Sequence, residues 1–244
     1  MLRPKNNKTK LRIKHRPFLK WAGGKFRLTD DLNRVFPKRK QCLIEPFVGA
    51  GAVFLNSHFE RYILADINPD LINLFNIVKD NVDAYIEACK PIFFAENANT
   101  AEYYYAQRDA FNQSTDPFER SVLFLYLNRF GFNGLCRYNS KNEFNVPFGA
   151  YKTHYFPEDE LRYFAHKAQS AVFLCADFQQ TFELADKHSV IYCDPPYAPL
   201  PQDTNFTGYA GNAFGLEHQK NLAECAKKAQ KEKQISVVIS NHDT

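Results

Sequence analysis

The fold of this 244-residue chain is decided by the stretch LIEPFVGAGAVFLN, residues 43–56. Residues 43–47 form a short apolar run typical of a buried strand, and Gly49 and Gly51 follow it. Residues 52–56 then begin a helix. Glycines at a turn from strand to helix allow a ligand to approach the backbone closely. The stretch therefore predicts the start of an α/β fold and a binding crevice at the turn.

The residues after this stretch repeat the alternation of strand and helix. Residues 62–65 predict a second strand, which ends at Asp66. Asn68 is a good helix cap, and Pro69 suits the first helical position. The apolar face of the following helix consists of Leu71, Leu74, Phe75 and Val78. Two such units in succession predict a βαβ arrangement with parallel strands.

The middle of the chain has a different character, and the alternation returns after it. Residues 83–130 follow a helical period, whereas residues 131–156 are rich in Gly, Asn, Pro and aromatics without a clear period. The later elements are strands at residues 171–176, 190–193 and 237–240, and a helix at residues 216–231. We therefore predict one α/β sheet domain that is interrupted by an insertion of roughly 80–110 residues.

The positive charge of the chain is concentrated at its start. The net charge is +4, but residues 1–17 contain seven Lys or Arg and no acidic residue. Such an arm is predicted to be disordered alone, and it is either a solubilising tail or a contact to phosphates. It lacks the apolar core of a secretory signal, and no run in the chain approaches the length of a membrane span.

The cysteine pattern argues against a zinc site. No CxxC pair occurs among the six cysteines, which are Cys42, Cys89, Cys136, Cys175, Cys193 and Cys225. Most of them lie in apolar segments, which predicts reduced, buried thiols in a cytosolic protein.

The first candidate site lies at the glycine turn. Asp66 follows Gly51 by fifteen residues, and an acidic residue in that position can accept hydrogen bonds from ribose hydroxyls. The third glycine of a dinucleotide-binding turn is absent. The pattern therefore favours a nucleoside without a pyrophosphate, and the alternative is a tight turn without a ligand.

The second candidate site is the stretch YCDPPYAPL, residues 192–200. Proline donates no hydrogen bond, so Asp194-Pro195-Pro196 ends the strand and projects at the carboxyl edge of the sheet. Asp194 and the carbonyl of Pro195 offer two acceptors for an exocyclic amino group, and Tyr197 can stack on the ring that carries it. An amine oriented in this way points its lone pair at an electrophile. The alternative is a structural Pro-Pro turn.

Two further clusters combine aromatic and basic residues. FLKWAGGK, residues 18–25, contains the single Trp of the chain beside Gly-Gly-Lys, which suggests an aromatic wall and a cation for a ligand. NRFGFNGLCRYN, residues 128–139, and NVPFGAYK, residues 145–152, are Gly-containing loops with residue types that read base edges and stack on bases. The alternatives are a turn between surface lysines and an irregular structural loop.

Seven motifs, in order, resemble those of the Dam-type DNA adenine-N6 methyltransferases: FLKWAGGK, EPFVGAGAVFLN, ILADIN, NRFGFNGLCRYN, FNVPFG, YCDPPYAP and ISNHDT. The resemblance extends from Phe18 to Thr244. It implies methylation of adenine in GATC within double-stranded DNA with S-adenosylmethionine, by base flipping and direct attack of the amine on the sulfonium methyl. It also implies a doubly wound, Rossmann-like methyltransferase sheet with a mainly helical DNA-recognition insertion.

The resemblance also implies a division of the chain. Residues 1–17 would be the basic arm, residues 18–80 and 165–244 the S-adenosylmethionine-binding catalytic domain, and residues 81–164 the target-recognition insertion. The protein is expected to be a cytoplasmic monomer of bacterial or phage origin that associates with the nucleoid and needs no metal.

Residue roles follow from the same motifs. The catalytic set would be Asp194, Pro195, Pro196 and Tyr197. The cofactor pocket would be lined by Trp21, Lys25, Phe47, Gly49, Gly51, Asp66 and Asp194. The DNA-binding set would be Lys20, Phe132, Asn133, Leu135, Arg137, Asn139, Pro147 and Tyr151. Arg137 would read the guanine of the second half-site and Lys20 the first base pair, while Leu135 and Pro147 would pack on a thymine methyl and Phe132 would wedge into the duplex.

The chain departs from the family pattern at two places. Asn142 stands where the family usually has Gly, and Asn tolerates a positive φ. The family continues beyond Thr244 with a helix and an antiparallel strand pair, so the strand at residues 237–240 is expected to be an exposed edge. The alternative function is therefore a C-terminally truncated remnant that binds DNA or cofactor without transferring methyl. Methyltransferases acting on cytosine N4 or RNA would share DPPY, but the GATC-type insertion motifs argue against both.

Overall fold

The computed structural model describes residues 13–196 and 214–241. Tyr197, which is expected to be catalytic, lies outside these residues, as do most of the basic arm and the last three residues. No helix in the described parts is both long and apolar enough to cross a membrane. The same parts contain no group of three or more His, Cys, Asp or Glu that could hold a metal ion.

Within the described residues, five parallel strands form one sheet in the order β3-β2-β1-β4-β5. The strands are β1 (Cys42–Glu45), β2 (Arg61–Asp66), β3 (Ala171–Cys175), β4 (Ser189–Cys193) and β5 (Ser236–Ile239). The strand order reverses beside the central strand β1, and a ligand crevice is expected there, beyond the carboxyl ends of the strands. The predicted α/β class with a doubly wound sheet is confirmed.

Helices connect the strands and form the middle of the chain. They are α1 (Thr29–Val35), α2 (Ala52–Asn56), α3 (Pro69–Asp80), α4 (Val82–Phe93), α5 (Ala101–Gln113), α6 (Pro117–Phe130), α7 (Glu158–Ala168), α8 (Phe178–Glu183) and α9 (Leu216–Lys233). Short 3-10 turns precede α1 and follow α6, at Phe26–Leu28 and Phe132–Gly134.

Both faces of the central strands are covered by hydrophobic clusters. Leu43 and Val190 belong to a large cluster with residues of α1 to α7, whereas Ile44 and Ile191 belong to a smaller cluster with residues of α8 and α9. Burial on both faces explains why β1 and β4 are mostly apolar and buried along their whole length.

The helices of the middle of the chain extend the large cluster away from the sheet. α6 is buried on nearly its whole circumference and packs against α3, α4 and α5. α7 packs against α3, α4 and β3, and the domain boundary expected at residue 165 falls inside this helix. α3 therefore contacts both the sheet and the helices that follow it.

Residues 13–17 differ from the disorder that was predicted for the whole arm. The backbone N–H of His15 donates to Asn56 Oδ1 at 2.9 Å, and Asn56 Nδ2 donates to the His15 carbonyl at 2.9 Å. The His15 ring stacks on Tyr163 with ring centroids 3.4 Å apart. These contacts fix the end of the arm on α2 and α7, and its composition alone does not reveal them.

Two further predictions need correction. β1 ends at Glu45 and not at residue 47, because Pro46 has no N–H for the ladder. The cysteines are free, as predicted, but Cys175 is exposed, since it ends β3 at an edge of the sheet where burial alternates along the strand. Cys136 and Cys225 are half-buried.

Candidate active site

The carboxyl ends of β1 and β2 meet at the edge of the sheet where the nucleoside crevice is predicted. β2 ends at Asp66, and the turn after β1 carries Gly49 and Gly51. These glycines have φ values of +48° and +74°, in the left-handed region that favours glycine. The backbone N–H of Gly49 donates to Asp66 Oδ2 at 3.3 Å. The glycine turn and the acidic residue therefore lie in contact.

Backbone donors hold Asp66 in a fixed orientation. Its Oδ1 accepts from the Asn68 N–H at 3.0 Å, and its Oδ2 accepts from Gly49. Burial raises the pKa of the Asp66 carboxyl, and the N–H groups of Asn68, Gly49 and Ile67 act in the opposite direction. Because each carboxylate oxygen can accept a further hydrogen bond, Asp66 is able to bind vicinal hydroxyls.

Trp21 packs directly on the backbone of Gly49. A Cβ built on Gly49 would lie 2.9 Å from Nε1 and 3.0 Å from Cδ1 of the indole. Contacts under 3.0 Å are essentially never seen for a real Cβ, so any side chain at this position would displace the indole. The aromatic wall predicted from FLKWAGGK therefore lies against the glycine turn.

A sheltered ion pair connects this wall to the Pro-Pro loop. Lys25 Nζ lies 2.7 Å from Asp194 Oδ1 and donates to the Gly23 carbonyl at 2.8 Å. The Lys25 and Asp194 side chains are only 11% and 20% exposed, so salt screens this pair less than a surface pair. The pair fixes the position of a carboxylate directly after β4.

The backbone before the Pro-Pro loop is supported by β5. The Ser240 N–H donates to the Cys193 carbonyl at 2.8 Å, and the hydroxyls of Tyr192 and Ser240 lie 2.8 Å apart. Pro195 is buried and Pro196 is exposed. The chain thus leaves the sheet at Asp194, and the stacking role of Tyr197 stays a prediction.

An aromatic cluster that includes Phe47 lies beside the crevice. Phe47 stacks on Phe178 with ring centroids 5.7 Å apart and meets Phe214 edge-on at 5.5 Å. Sequence reasoning identified Phe47 but missed Phe178 and Phe214. The available signal for Phe178 was its place shortly after the predicted strand β3, behind the helix-capping Asp177.

Glu45 is another residue that sequence reasoning did not assign to the site. It ends β1 fully buried, and its Oε1 has no hydrogen-bond partner within the described residues. Burial, and next the negative charge of Asp194, raise the pKa of the Glu45 carboxyl well above its usual value. A backbone hydrogen bond from Phe54 and the charge of Lys167 lower this pKa and so act in the opposite direction. The signal available in the sequence was an acidic residue directly before the glycine turn.

Lys20 contacts the C-terminal end of α6 and the Tyr151 ring. Its Nζ donates to the Arg129 carbonyl at 2.7 Å and lies 3.7 Å from the ring centroid of Tyr151. The Asn128 side chain binds the N–H and the carbonyl of Lys20, each at 2.8 Å. Burial, together with the Arg129 cation, lowers the pKa of Lys20 to about 8. Sequence reasoning quoted Asn128 but did not assign it this anchoring role.

Arg137 lies on a short hairpin that is closed by its own hydrogen bonds. Its Nε donates to Asn145 Oδ1 at 2.7 Å, and one terminal nitrogen donates to the Asn145 carbonyl at 3.1 Å. Asn139 N–H donates to the Glu143 carbonyl at 2.9 Å. Asn142 has a φ of +61°, so the turn is kept without glycine.

The other predicted DNA-binding residues follow the C-terminal end of α6 in the chain. Phe132 is 47% exposed, and its N–H donates to the carbonyl of the exposed Pro147 at 2.9 Å. Asn133 is exposed with a φ of +53°, and Leu135 is half-buried. Phe132 is therefore an exposed phenylalanine whose backbone is held by a hydrogen bond, and its wedge role stays a prediction.

Comparison with known proteins gives consistent matches. The profile of the family described as D12 class N6 adenine-specific DNA methyltransferase matches residues 21–244. A protein of Haemophilus influenzae named DNA adenine methylase is 81% identical over 244 residues, which are 100% of this chain and 85% of that relative. Proteins of the same name from Vibrio cholerae and Escherichia coli K12 are each 60% identical over 231 residues, 95% of this chain and 83% and 82% of the relatives.

Proposed function

The chain belongs to the family of D12 class N6 adenine-specific DNA methyltransferases, and we propose that its methyl donor is S-adenosylmethionine and its target GATC in double-stranded DNA. The observation that carries the proposal is the meeting of the glycine turn, Asp66 and the Lys25–Asp194 pair at one edge of the sheet. We further propose a monomeric cytoplasmic enzyme, with the catalytic domain and the recognition insertion divided as expected from the sequence.

The chemistry of the crevice fits a sulfonium nucleoside. Asp66 offers two oriented oxygens to ribose hydroxyls, and Trp21 offers an aromatic wall against the glycine turn. Phe47 adds a second aromatic surface beside Phe178. S-Adenosylmethionine supplies an electrophilic methyl on a positively charged sulfur. Gly49 leaves room for the Trp21 indole, and both Gly49 and Gly51 allow the positive φ values of the turn.

Asp194 and Pro195 orient the amine of the target adenine in this proposal. The carboxylate of Asp194 and the carbonyl of Pro195 accept the two N–H groups, so the nitrogen lone pair points at the methyl group. The ion pair with Lys25 keeps the Asp194 carboxylate in a fixed position for this contact. Tyr197 stacks on the base after it has left the duplex. Positioning and electrostatics then carry the catalysis.

As the amine nitrogen bonds to the methyl carbon, the bond from that carbon to sulfur would break and leave a neutral thioether, and the methylated amine would lose one proton to the adjacent Asp194 carboxylate or to water. Such a direct attack requires no protein nucleophile. Cys193 lies next to Asp194, but burial raises the pKa of its thiol far above the usual value. A protonated thiol is a poor nucleophile. The site therefore favours attack by the exocyclic amine over a mechanism with a cysteine adduct.

The recognition side of the proposal assigns Arg137 to a guanine and Lys20 to the first base pair. Leu135 and Pro147 pack on a thymine methyl, and Phe132 wedges into the duplex. The remaining residues of this surface are Asn133, Asn139 and Tyr151. The alternative, binding without methyl transfer, is not favoured, because the matching family is described by N6 adenine-specific DNA methylation and the relatives are named DNA adenine methylases.

We expect Arg137→Ala to relax discrimination at a single guanine position. The guanidinium can donate two hydrogen bonds to guanine, and such a pair contributes about 1–3 kcal/mol to base discrimination. The measurement is kcat/KM on GATC duplexes and on duplexes with single-base changes.

Arg162→Ala is the matched control, because Arg162 pairs with Asp83 and Glu158 on an exposed helix surface. It is expected to leave discrimination unchanged. A uniform loss over all duplexes in Arg137→Ala would make Arg137 a phosphate contact and would remove the support for GATC readout by this residue.

A further inference from the structure

The two residues that flank Arg137 are both anchored to the first turn of α3. Asn68, the N-cap of α3, donates from Nδ2 to Cys136 Sγ at 3.3 Å. The Tyr138 hydroxyl donates to Asp70 Oδ2 at 2.6 Å. Arg137 itself bonds to Asn145 within its own hairpin. The position of Arg137 relative to the sheet is therefore set in large part by its neighbours.

Asp70 is fixed from the other side by a two-pronged ion pair. Arg120 of α6 donates from Nε and a terminal nitrogen to the two oxygens of Asp70, at 2.9 Å each. The Arg120 and Asp70 side chains are 22% and 12% exposed. Arg120 also donates to the carbonyls of Phe111 and Ser114, at 2.7 and 3.0 Å. The planar guanidinium of Arg120, itself held by these hydrogen bonds, keeps the Asp70 carboxylate in one orientation.

The hydroxyl of Tyr138 stays a donor at ordinary pH. Burial raises its pKa well above the usual value, and the charges of Cys136 and Asp70 act in the same direction. A short hydrogen bond to a fixed carboxylate is stronger than a bond between neutral groups. The hairpin is therefore tied firmly to α3.

The same turn of α3 also reaches the cofactor crevice. Asp66 accepts from the Asn68 N–H and from the Gly49 N–H, at 3.0 and 3.3 Å. Asn68 thus contacts Asp66 on one side and Cys136 on the other. A continuous series of hydrogen bonds runs from Gly49 through Asp66 and Asn68 to the hairpin.

We propose that the first turn of α3 couples the cofactor crevice to base recognition, with Tyr138 as a specificity-determining positioning residue held by Asp70 and Arg120. The inference rests on the proposed role of Arg137 in reading a guanine. Tyr138 contacts no base in this arrangement. It sets where the guanidinium of Arg137 stands relative to Asp194, so a loss of its hydrogen bond misplaces the reading group.

The test compares Tyr138→Phe with Tyr126→Phe. Both changes remove one hydroxyl, and Tyr126 donates a bond of the same length, 2.6 Å, but to the Ala98 carbonyl in the core of the insertion. We expect Tyr138→Phe to lower discrimination at the guanine read by Arg137 about tenfold, because hydrogen bonds to charged groups are among the stronger ones. Tyr126→Phe should lower the melting temperature and leave discrimination unchanged.

A second readout is the change in S-adenosylmethionine affinity that cognate DNA produces. Coupling through α3 predicts that this change becomes smaller in Tyr138→Phe and in Asp70→Asn, and that it is kept in Tyr126→Phe. Asp70→Asn keeps the shape of the side chain and an acceptor for Tyr138 while weakening the bond to Arg120. It keeps the proposal testable if Tyr138→Phe folds poorly.

The outcomes separate this inference from the proposed function. If Arg137→Ala leaves base discrimination unchanged, the reading role of Arg137 fails and the coupling falls with it. If Arg137→Ala relaxes discrimination but Tyr138→Phe and Asp70→Asn behave as wild type, only the coupling is overturned. Equal losses in Tyr138→Phe and Tyr126→Phe would also overturn it, because they would show a general effect of stability.

Discussion

Asp194→Ala should abolish measurable methyl transfer and leave the fold intact. The change removes one of two acceptors that hold the target amine and also removes the partner of Lys25. Loss of one oriented electrostatic contact at a reacting group costs on the order of 10²–10³-fold in rate. Asp194 follows β4 at the rim of the sheet, so the buried strand residues are unchanged. The measurement is transfer of labelled methyl to a GATC duplex, with circular dichroism to confirm folding.

Asp186→Ala is the matched control at the opposite end of the same strand. Asp186 accepts from Ser189 and Arg61 before β4 begins. Its loss should lower the melting temperature and leave the rate per folded molecule unchanged. The methyl-transfer rate of Asp194→Asn should lie between those of wild type and Asp194→Ala, since an amide keeps one acceptor oxygen. Turnover near the wild-type rate in Asp194→Ala would contradict the proposed mechanism.

The second large effect is expected for Gly49→Ala, in the affinity for S-adenosylmethionine. The added Cβ would lie 2.9 Å from the Trp21 indole. The alanine would also have to keep a φ of +48°, a backbone conformation that residues with an L side chain rarely adopt. Overpacking of this kind costs about 1–3 kcal/mol, and the displaced indole is the proposed wall of the cofactor site. We therefore expect the Kd for S-adenosylmethionine, measured by calorimetry, to rise about 10-fold or more.

Gly23→Ala provides the control for backbone strain. Gly23 has a φ of +75°, but a Cβ there meets nothing within 4 Å. The backbone strain of about 1–2 kcal/mol should lower the free energy of unfolding of the variant. Because the added Cβ does not displace the Trp21 indole, the affinity for S-adenosylmethionine should stay within about threefold of wild type. Equal affinities in Gly49→Ala and wild type would show that Trp21 is no part of the cofactor wall.

Local signals in the sequence predicted the elements that build the crevice. The glycine turn, Asp66 and the Asn68-Pro69 cap are all specified within residues 43–69, so the first βαβ unit could be derived directly. The pattern of apolar residues in α6 did not show which face of the helix is buried, because this helix is buried on nearly all sides. The strand end at Glu45 was missed by two residues, although Pro46 made it predictable.

Contacts between distant residues were not predictable from local patterns. Tyr138 and Asp70 are 68 residues apart, and the stacking of Phe47 on Phe178 joins the ends of two different strands. His15 is ordered by its contacts with Asn56 and Tyr163, although the basic composition around it predicts disorder. Such contacts depend on how the elements pack and leave no periodic trace in the sequence.

Methyl transfer to adenine N6 is measured directly by mass spectrometry of nucleosides after incubation of this chain with S-adenosylmethionine and duplex DNA. We expect N6-methyladenine in a GATC duplex, with single-base changes in the site reducing its formation by roughly tenfold or more, since a mismatched base pair costs about 1–3 kcal/mol. A folded chain that transfers no methyl group, or that forms N4-methylcytosine instead, would contradict the proposed function.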